Sequence, residues 1–459
     1  MTTALHLLIV RPVRMLSLSA VLIAAAIGIL AYPAGAAPDS SAPATPVPRP
    51  HPTMREFMGL NAHTVQFKPD LYAPVCRRVR DYHPIRWDIE ENPAKPTVLP
   101  MAANGVDWSS LYGSWVKAGF DVDACVQFDD LGADKWKDPA AEARAYGEAF
   151  ARALGPSAKS PLITSAEIGN EPSKYTQDQY RAIFEGMARG LRAGDSKLKI
   201  ATCAVMTGKT DEWSKPMSSV AGLEDLYDVV NVHAYAFKEL WPTWRRSFPE
   251  DPSIAFLKSI DDVLRWRDTH AAGKEVWLTE FGYDSASKPP AADGPWAKWV
   301  GVTDEQQAQY IVRSFLTLSA TDLDRAYLYF FNDKDESQLH GASGITRNFK
   351  PKPSFYAMAH LYKTLGDYRF TRAVVRKEGD LYCFEYEHNQ KPNEKIYVAW
   401  SPTADAKTTS RVLPIEAKSV HQAEAMPLTA RDAAKVEWKA TEGKVEVEIG
   451  GGPVFLWAH

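Results

Sequence analysis

Two carboxylates in this chain stand where chemistry is possible. One closes the apolar run Ala166-Glu167-Ile168-Gly169-Asn170-Glu171-Pro172, the other the run Val276-Trp277-Leu278-Thr279-Glu280-Phe281-Gly282. A carboxylate at the end of a buried strand costs desolvation energy unless it is paired or used. Two such groups facing one gap repel, which splits their pKa values and leaves one protonated and one ionised. That combination suits a general acid working beside a nucleophile or base. No HExxH pair, EF-hand loop, phosphate-binding glycine loop or G-x-S-x-G elbow occurs, so neither a metal nor a cofactor is expected.

Strands must bring the two acids together. Eight short apolar runs read as strands at 57–61, 84–89, 120–128, 162–168, 198–204, 229–233, 276–280 and 325–331. Amphipathic stretches alternate with them, which predicts parallel strands joined by crossover helices, and eight closes a (β/α)8 barrel. Several helix starts are legible. Asp138-Pro139 reads as an N-cap with proline at N1, and Thr176/Gln179 and Thr303/Gln306 read as capping boxes. A last helix is expected over 354–364. The stretch between Glu171 and Glu280 is about three βα units long, which puts the acids on strands four and seven. In such a barrel the C-terminal strand ends build the site.

The other segments are of different character. Residues 1–36 carry Arg11, Arg14, an apolar run from Met15 to Leu30 and Ala34-Gly35-Ala36, which together read as an export signal. A secreted or periplasmic protein is expected, with no membrane contact after cleavage. Residues 37–54 are rich in Pro, Ala and Ser and read as a linker. Residues 55–365 read as the barrel. Residues 366–459 show short alternating runs separated by turns, which predicts a small antiparallel β-domain of sandwich type. The net charge of −4 and the absence of a Lys/Arg cluster argue against a nucleic-acid partner. The 4 cysteines, Cys76, Cys125, Cys203 and Cys383, are widely spaced and form no CxxC. Cys125 and Cys203 lie in apolar strands and read as buried thiols.

The motif Ile168-Gly169-Asn170-Glu171-Pro172 on strand four, with Trp277-Leu278-Thr279-Glu280-Phe281-Gly282 closing strand seven, resembles the clan of retaining glycoside hydrolases known as the 4/7 superfamily (clan A). The resemblance covers residues 55–365 and does not settle the individual family. It implies a carbohydrate substrate cleaved by double displacement, with Glu171 as acid/base and Glu280 as nucleophile. It further implies that Asn170 contacts the sugar 2-OH and that Arg86, in Ile85-Arg86-Trp87-Asp88, is the strand-two arginine beside the nucleophile. His233 and Tyr235 match the strand-six His-x-Tyr pair, with Tyr235 donating to Glu280. Phe331, with Phe330, stands where the clan has an aromatic platform, often Trp.

Residue types alone add further candidates. His63 and Asn61, at the end of strand one, are candidate hydroxyl or carboxylate contacts. Glu167 reads as an interior acid paired with Arg86. Trp241 and Trp244 follow strand six and are candidate stacking faces for a pyranose. Two alternatives share these motifs: a non-catalytic carbohydrate-binding barrel, and a transglycosylase that differs only in its acceptor. Decay to a binding protein should erase one of Glu171, Glu280, Asn170 or Tyr235, and all four stand.

Overall fold

A computed structural model describes residues 49–459 apart from 64, 65, 67, 208–212 and 406. The export signal expected over 1–36 lies outside the described residues. Eight parallel strands form the barrel: β1 (Met58–Ala62), β2 (Arg78–Pro84), β3 (Asp121–Gln127), β4 (Ser165–Ile168), β5 (Lys199–Met206), β6 (Val229–His233), β7 (Glu275–Phe281) and β8 (Arg325–Leu328). Their order is β4-β3-β2-β1-β8-β7-β6-β5, and a β4–β5 pairing closes the ring. This is the expected (β/α)8 barrel. Among the described residues the helices of ten residues or more that clad it are α1 (Trp108–Lys117), α2 (Pro139–Leu154), α3 (Gln177–Gly194), α4 (Phe256–His270), α5 (Asp304–Ser319) and α6 (Pro353–Leu365). Among the described residues, no helix is long and apolar enough to cross a membrane.

Local chemistry sets these elements. Asp138 caps α2 by accepting from the Ala141 amide, with Pro139 in the first turn. Thr176 and Thr303 each form a reciprocal capping box, with Gln179 and Gln306, satisfying two amides that the first helical turn leaves open. The apolar stripe Tyr180, Ile183, Phe184, Met187 and Leu191 of α3 is buried, so it is packing surface.

Strand two departs from expectation. The strand is Arg78–Pro84, and residues 85–89, expected as strand, form a helical turn. The physical reason is that the true strand is charged. Arg80, Asp81 and His83 are buried and hydrogen-bonded to residues of other elements, Arg80 to Glu167, Asp81 and His83 to Tyr112, and His83 also to Asp88, so an apolar run does not mark it. The helical turn buries Ile85, Asp88 and Ile89, which is i, i+3, i+4 spacing.

The C-terminal part is a sandwich. One sheet orders β9 (Tyr368–Lys377), β10 (Leu381–His388), β11 (Lys391–Trp400), β16 (Val454–Ala458) and β13 (Val420–Ala425). The other orders β12 (Thr409–Glu416), β15 (Lys444–Ile449) and β14 (Trp438–Thr441). Alternation along β10 separates two cores. Leu381 and Cys383 face the second sheet, whereas Tyr382, Phe384 and Tyr386 join the barrel core. The seam is pinned by a fully buried Arg313–Glu250 pair, and Trp400 Nε1 donates to Glu250 at 2.6 Å. Residues 51–54, expected as the end of the linker, pack here: His51 lies edge-on to Phe370, and Thr53 bridges to Arg369. All four cysteines are buried and free.

Candidate active site

Alternation along β2 places the key side chains at successive heights inside the barrel. Arg78 reaches Asp121 and Asp123 at the lower end, Arg80 sits in the middle, and Tyr82 reaches the mouth. All five N–H donors of a guanidinium find an oxygen at Arg80. Nε and Nη2 grip Glu167 at 2.7 and 2.8 Å. Nη1 reaches Asn61 Oδ1 at 2.8 Å and Glu280 Oε1 at 3.0 Å. Nη2 also donates to Asn170 Oδ1 at 2.8 Å.

Glu280 receives two more donors. Tyr82 donates to Oε1 at 2.6 Å and Tyr235 to Oε2 at 2.9 Å. Burial alone would push this carboxyl up, but the His233 and Arg80 charges and the two phenols pull it down to about 2. It is therefore a carboxylate at any ordinary pH. Both phenols are driven well above the usual tyrosine range by burial and by the Glu280 charge, so they remain donors.

Glu171 is set differently. Gly169 holds φ +84° at the end of β4, a left-handed conformation that glycine adopts freely, and the turn swings Asn170 and Glu171 into the mouth. The Glu171 side chain is 26% exposed where that of Glu280 is 8% exposed. Glu171 Oε1 lies 2.9 Å from His233 Nδ1. His233 Nε2 meets Thr279 Oγ1 at 3.0 Å, and that hydroxyl donates to Asn231 Oδ1. Since the threonine proton is directed at Asn231, Nε2–H is the donor to Thr279. The Nδ1–Glu171 contact then holds one proton, shared between a carboxyl and an imidazole. Burial would lower the His233 pKa, but Glu280 and Glu171 outweigh it and raise it.

Glu171, Asn170, Tyr235, Glu280 and His63 line one cavity of about 310 Å³, with Tyr82, Gln127, Tyr329 and His340. Oxygen atoms of Glu171 and Glu280 and a nitrogen of His233 all lie within 4.8 Å of one another. Such a trio could in principle hold a cation. Here the Arg80 guanidinium already neutralises Glu280 and would repel one, so the cluster reads as paired acids.

Other expected site residues fall elsewhere. Arg86 lies on the helical turn after β2 and pairs with Glu91 and Asp130, its side chain 39% exposed. Arg80 holds the place and the Glu167 partnership expected of it. Asn61 is buried beneath the floor, donating to the Thr279 and Leu328 carbonyls and accepting from Arg80, so it braces the site without facing the cavity. Phe331 is fully buried against Tyr72 and His63, because β8 stops at Leu328 and the chain turns; Tyr329 takes the wall position instead. Trp241 is exposed against Trp296, and Trp244 lines a neighbouring pocket. Arg80, Tyr82, Gln127, Tyr329 and His340 were missed. For Arg80 and Tyr82 the period-2 pattern of Arg78, Arg80 and Tyr82 was the available signal.

No family profile matches the chain, and no curated protein matches it in sequence. In fold, the chain is similar to a family 39 glycoside hydrolase from the gut symbiont Bacteroides cellulosilyticus WH2, with TM-score 0.67, 15% identity, and coverage of 89% of this chain and 81% of that one. It is also similar to a family 51 alpha-L-arabinofuranosidase from Bifidobacterium longum, with TM-score 0.55, 13% identity and coverage of 91% and 98%. A GH30 endoxylanase from Clostridium papyrosolvens C71 matches with TM-score 0.52, 14% identity and coverage of 89% and 97%. The barrel with its trailing β-sandwich is the shared architecture; the individual family stays unresolved.

Proposed function

We propose that this protein is an exported, retaining glycoside hydrolase of the 4/7 superfamily. The observation that carries the reading is the spacing of Glu171 and Glu280, whose oxygens lie within 4.8 Å across one cavity. Retaining enzymes hold their carboxyls about 5–5.5 Å apart, whereas inverting ones need about 6.5–9.5 Å for an intervening water. The fold shared with glycoside hydrolases of three families supports it.

The steps follow from the hydrogen bonds. Glu280, ionised and oriented by Tyr82, Tyr235 and Arg80, attacks the anomeric carbon. The proton held between Glu171 and His233 passes to the departing glycosidic oxygen as the C–O bond breaks. A glycosyl ester on Glu280 results. Water then enters beside Glu171, which takes its proton, and the new hydroxide displaces Glu280 with retention. Because Asn170 spends its carbonyl oxygen on Arg80, its amide N–H faces the sugar and can donate to a hydroxyl.

Product profiling on aryl glycosides and polysaccharides tests this. Glu280→Gln should cost on the order of 10⁴-fold in kcat or more, and Glu171→Gln about 10²–10⁴-fold, with unchanged folding. The first product should keep the anomeric configuration of the substrate by NMR. An inverted product, or near-normal turnover in either variant, ends the proposal.

A further inference from the structure

A second pocket opens beside the first. Its volume is about 460 Å³, and it shares Glu171, His233, Tyr235 and His340 with the candidate active site but not Glu280. In a retaining displacement the nucleophile and the leaving group lie on opposite faces of the anomeric carbon. A pocket that touches the acid and not the nucleophile is therefore on the leaving-group side.

Among the described residues its walls are mostly apolar. Phe237, Trp244, Phe256, Val232 and Met206 line it, and Trp213 and Leu240 stand at its rim. Besides Glu171 and the histidines shared with the active site, its charged liners are engaged elsewhere: Lys238 with Asp251, and Glu239 with Thr243 and Arg245. Among the described residues only seven large apolar side chains are exposed, and three of them, Trp213, Leu240 and Trp241, are at or next to this rim. Exposed apolar side chains gathered at a cavity mouth mark a binding surface more often than chance. The glycone cavity contrasts with it. Among the described residues no lysine or arginine lines that cavity, and burial lowers the pKa of both its histidines, His63 and, to about 4, His340. Among the described residues, the cationic group near its wall, His233, is already engaged by Glu171 and Glu280, which leaves none for a uronate.

From these surfaces we infer that the substrate is a glycoside of a neutral sugar carrying an apolar aglycone, seated in the pocket between Trp213, Leu240 and Trp244. The inference rests on the hydrolase reading and adds to it the chemistry of the leaving group. A competing exit exists: Gln127, Asp129, Asp130, Ser173 and Lys174 line a polar hollow that also borders Glu171. A sugar leaving group would choose that one.

The experiment uses the full chain and three neutral sugars, glucose, xylose and galactose. Each is offered as its methyl, n-hexyl and phenyl β-glycoside and as its β-1,4-linked disaccharide. Binding is measured by calorimetry and hydrolysis by sugar release. Each methylene fully buried from water is worth about a fourfold gain, so even with partial burial hexyl should exceed methyl by about tenfold or more in affinity and, where there is turnover, in kcat/KM. Phenyl against hexyl tells an aromatic from an aliphatic aglycone; both fit the inference. Leu240→Asp should shrink the hexyl-to-methyl ratio several-fold. Equal binding of methyl and hexyl glycosides, or preference for the disaccharides, overturns the inference and leaves the hydrolase reading standing. Length-dependent binding without hydrolysis of any glycoside retains the pocket assignment and removes the hydrolase reading.

Discussion

The barrel interior holds two charged layers, and only one of them borders a cavity large enough for a sugar. In the lower layer Asp123 accepts from Thr164 and Ser165 hydroxyls at 2.8 and 2.5 Å, from Arg325 at 3.3 Å and from the Tyr327 phenol. Arg325 lies over the Trp277 ring at 3.9 Å. In the upper layer Arg80 grips Glu167 and Glu280, but Glu280 borders the cavity. Burial would raise both Asp123 and Glu280, and positive charge overrides it in each, from Arg325 and Arg78 at Asp123 and from His233 and Arg80 at Glu280, leaving both at about 2. A perturbed buried acid is thus not a site marker by itself. What separates the layers is unfilled space: Tyr327 and Trp277 seal the lower one, whereas polar donors ring an open volume in the upper.

The sharpest way to break this comparison is to remove one charge from each layer. Arg80→Met strands two buried carboxylates and should destabilise the fold by about 3–5 kcal/mol. It also releases Glu280 and Asn170, so kcat/KM should fall roughly 10²–10³-fold. Asp123→Asn should destabilise on a similar scale, because Arg325 and Arg78 lose their counter-charge, yet keep kcat/KM within about twofold in the folded protein. Urea unfolding with initial rates at low temperature measures both. An Asp123→Asn enzyme as crippled as Arg80→Met would mean that the layers do not differ.

That contrast also explains what the sequence disclosed. Strand ends such as Val276–Glu280 are apolar until the acid, so hydrophobic runs find them and the barrel follows. The caps at Asp138, Thr176 and Thr303 are local chemistry and were legible residue by residue. Strand β2 was not, because Arg80 and Asp81 meet partners remote in the chain (Glu167, Glu280 and Tyr112), which no window around them contains. Arg86, which the resemblance implies as the strand-two arginine, lies six residues beyond Arg80, the arginine that reaches Glu280. Phe331 and Asn61 differ for other reasons: β8 stops at Leu328, short of Phe331, and Asn61, inside β1, is drawn beneath the floor by Arg80 and the Thr279 and Leu328 carbonyls.

A gentler break takes one phenol from each acid. Tyr235→Phe removes the donor to Glu280 Oε2, and Tyr327→Phe removes one from Asp123. A carboxyl depressed on folding contributes stability above its unfolded pKa, and that contribution is lost as pH falls through the folded value. Both acids therefore lend stability that vanishes between about pH 4 and 2, and both variants should lose stability at a higher pH than the parent. Only Tyr235→Phe should also carry the acid limb of kcat/KM upward, by about one unit. A matching shift in Tyr327→Phe would assign that limb to general unfolding.

The last test concerns Asp129, which shares the polar hollow with Glu171 and Lys174 but makes no ion pair among the described residues. Its carboxyl oxygens are buried without a well-formed hydrogen bond. Burial, with the Glu171 charge adding to it, pushes the group up to about 7, opposite in direction to Glu280. A folded acid with a raised pKa takes up a proton that the unfolded chain lacks, so its cost to stability grows as pH rises from about 4 to 7 and is constant above. Asp129→Asn removes that cost. Its melting temperature should exceed the parent's most above pH 7, with the gap closing steadily toward pH 4, as read by calorimetry across that range. A gap that is flat with pH, or of the reverse slope, would place Asp129 in contact with water or a positive charge and align it with Glu280 and Asp123 after all.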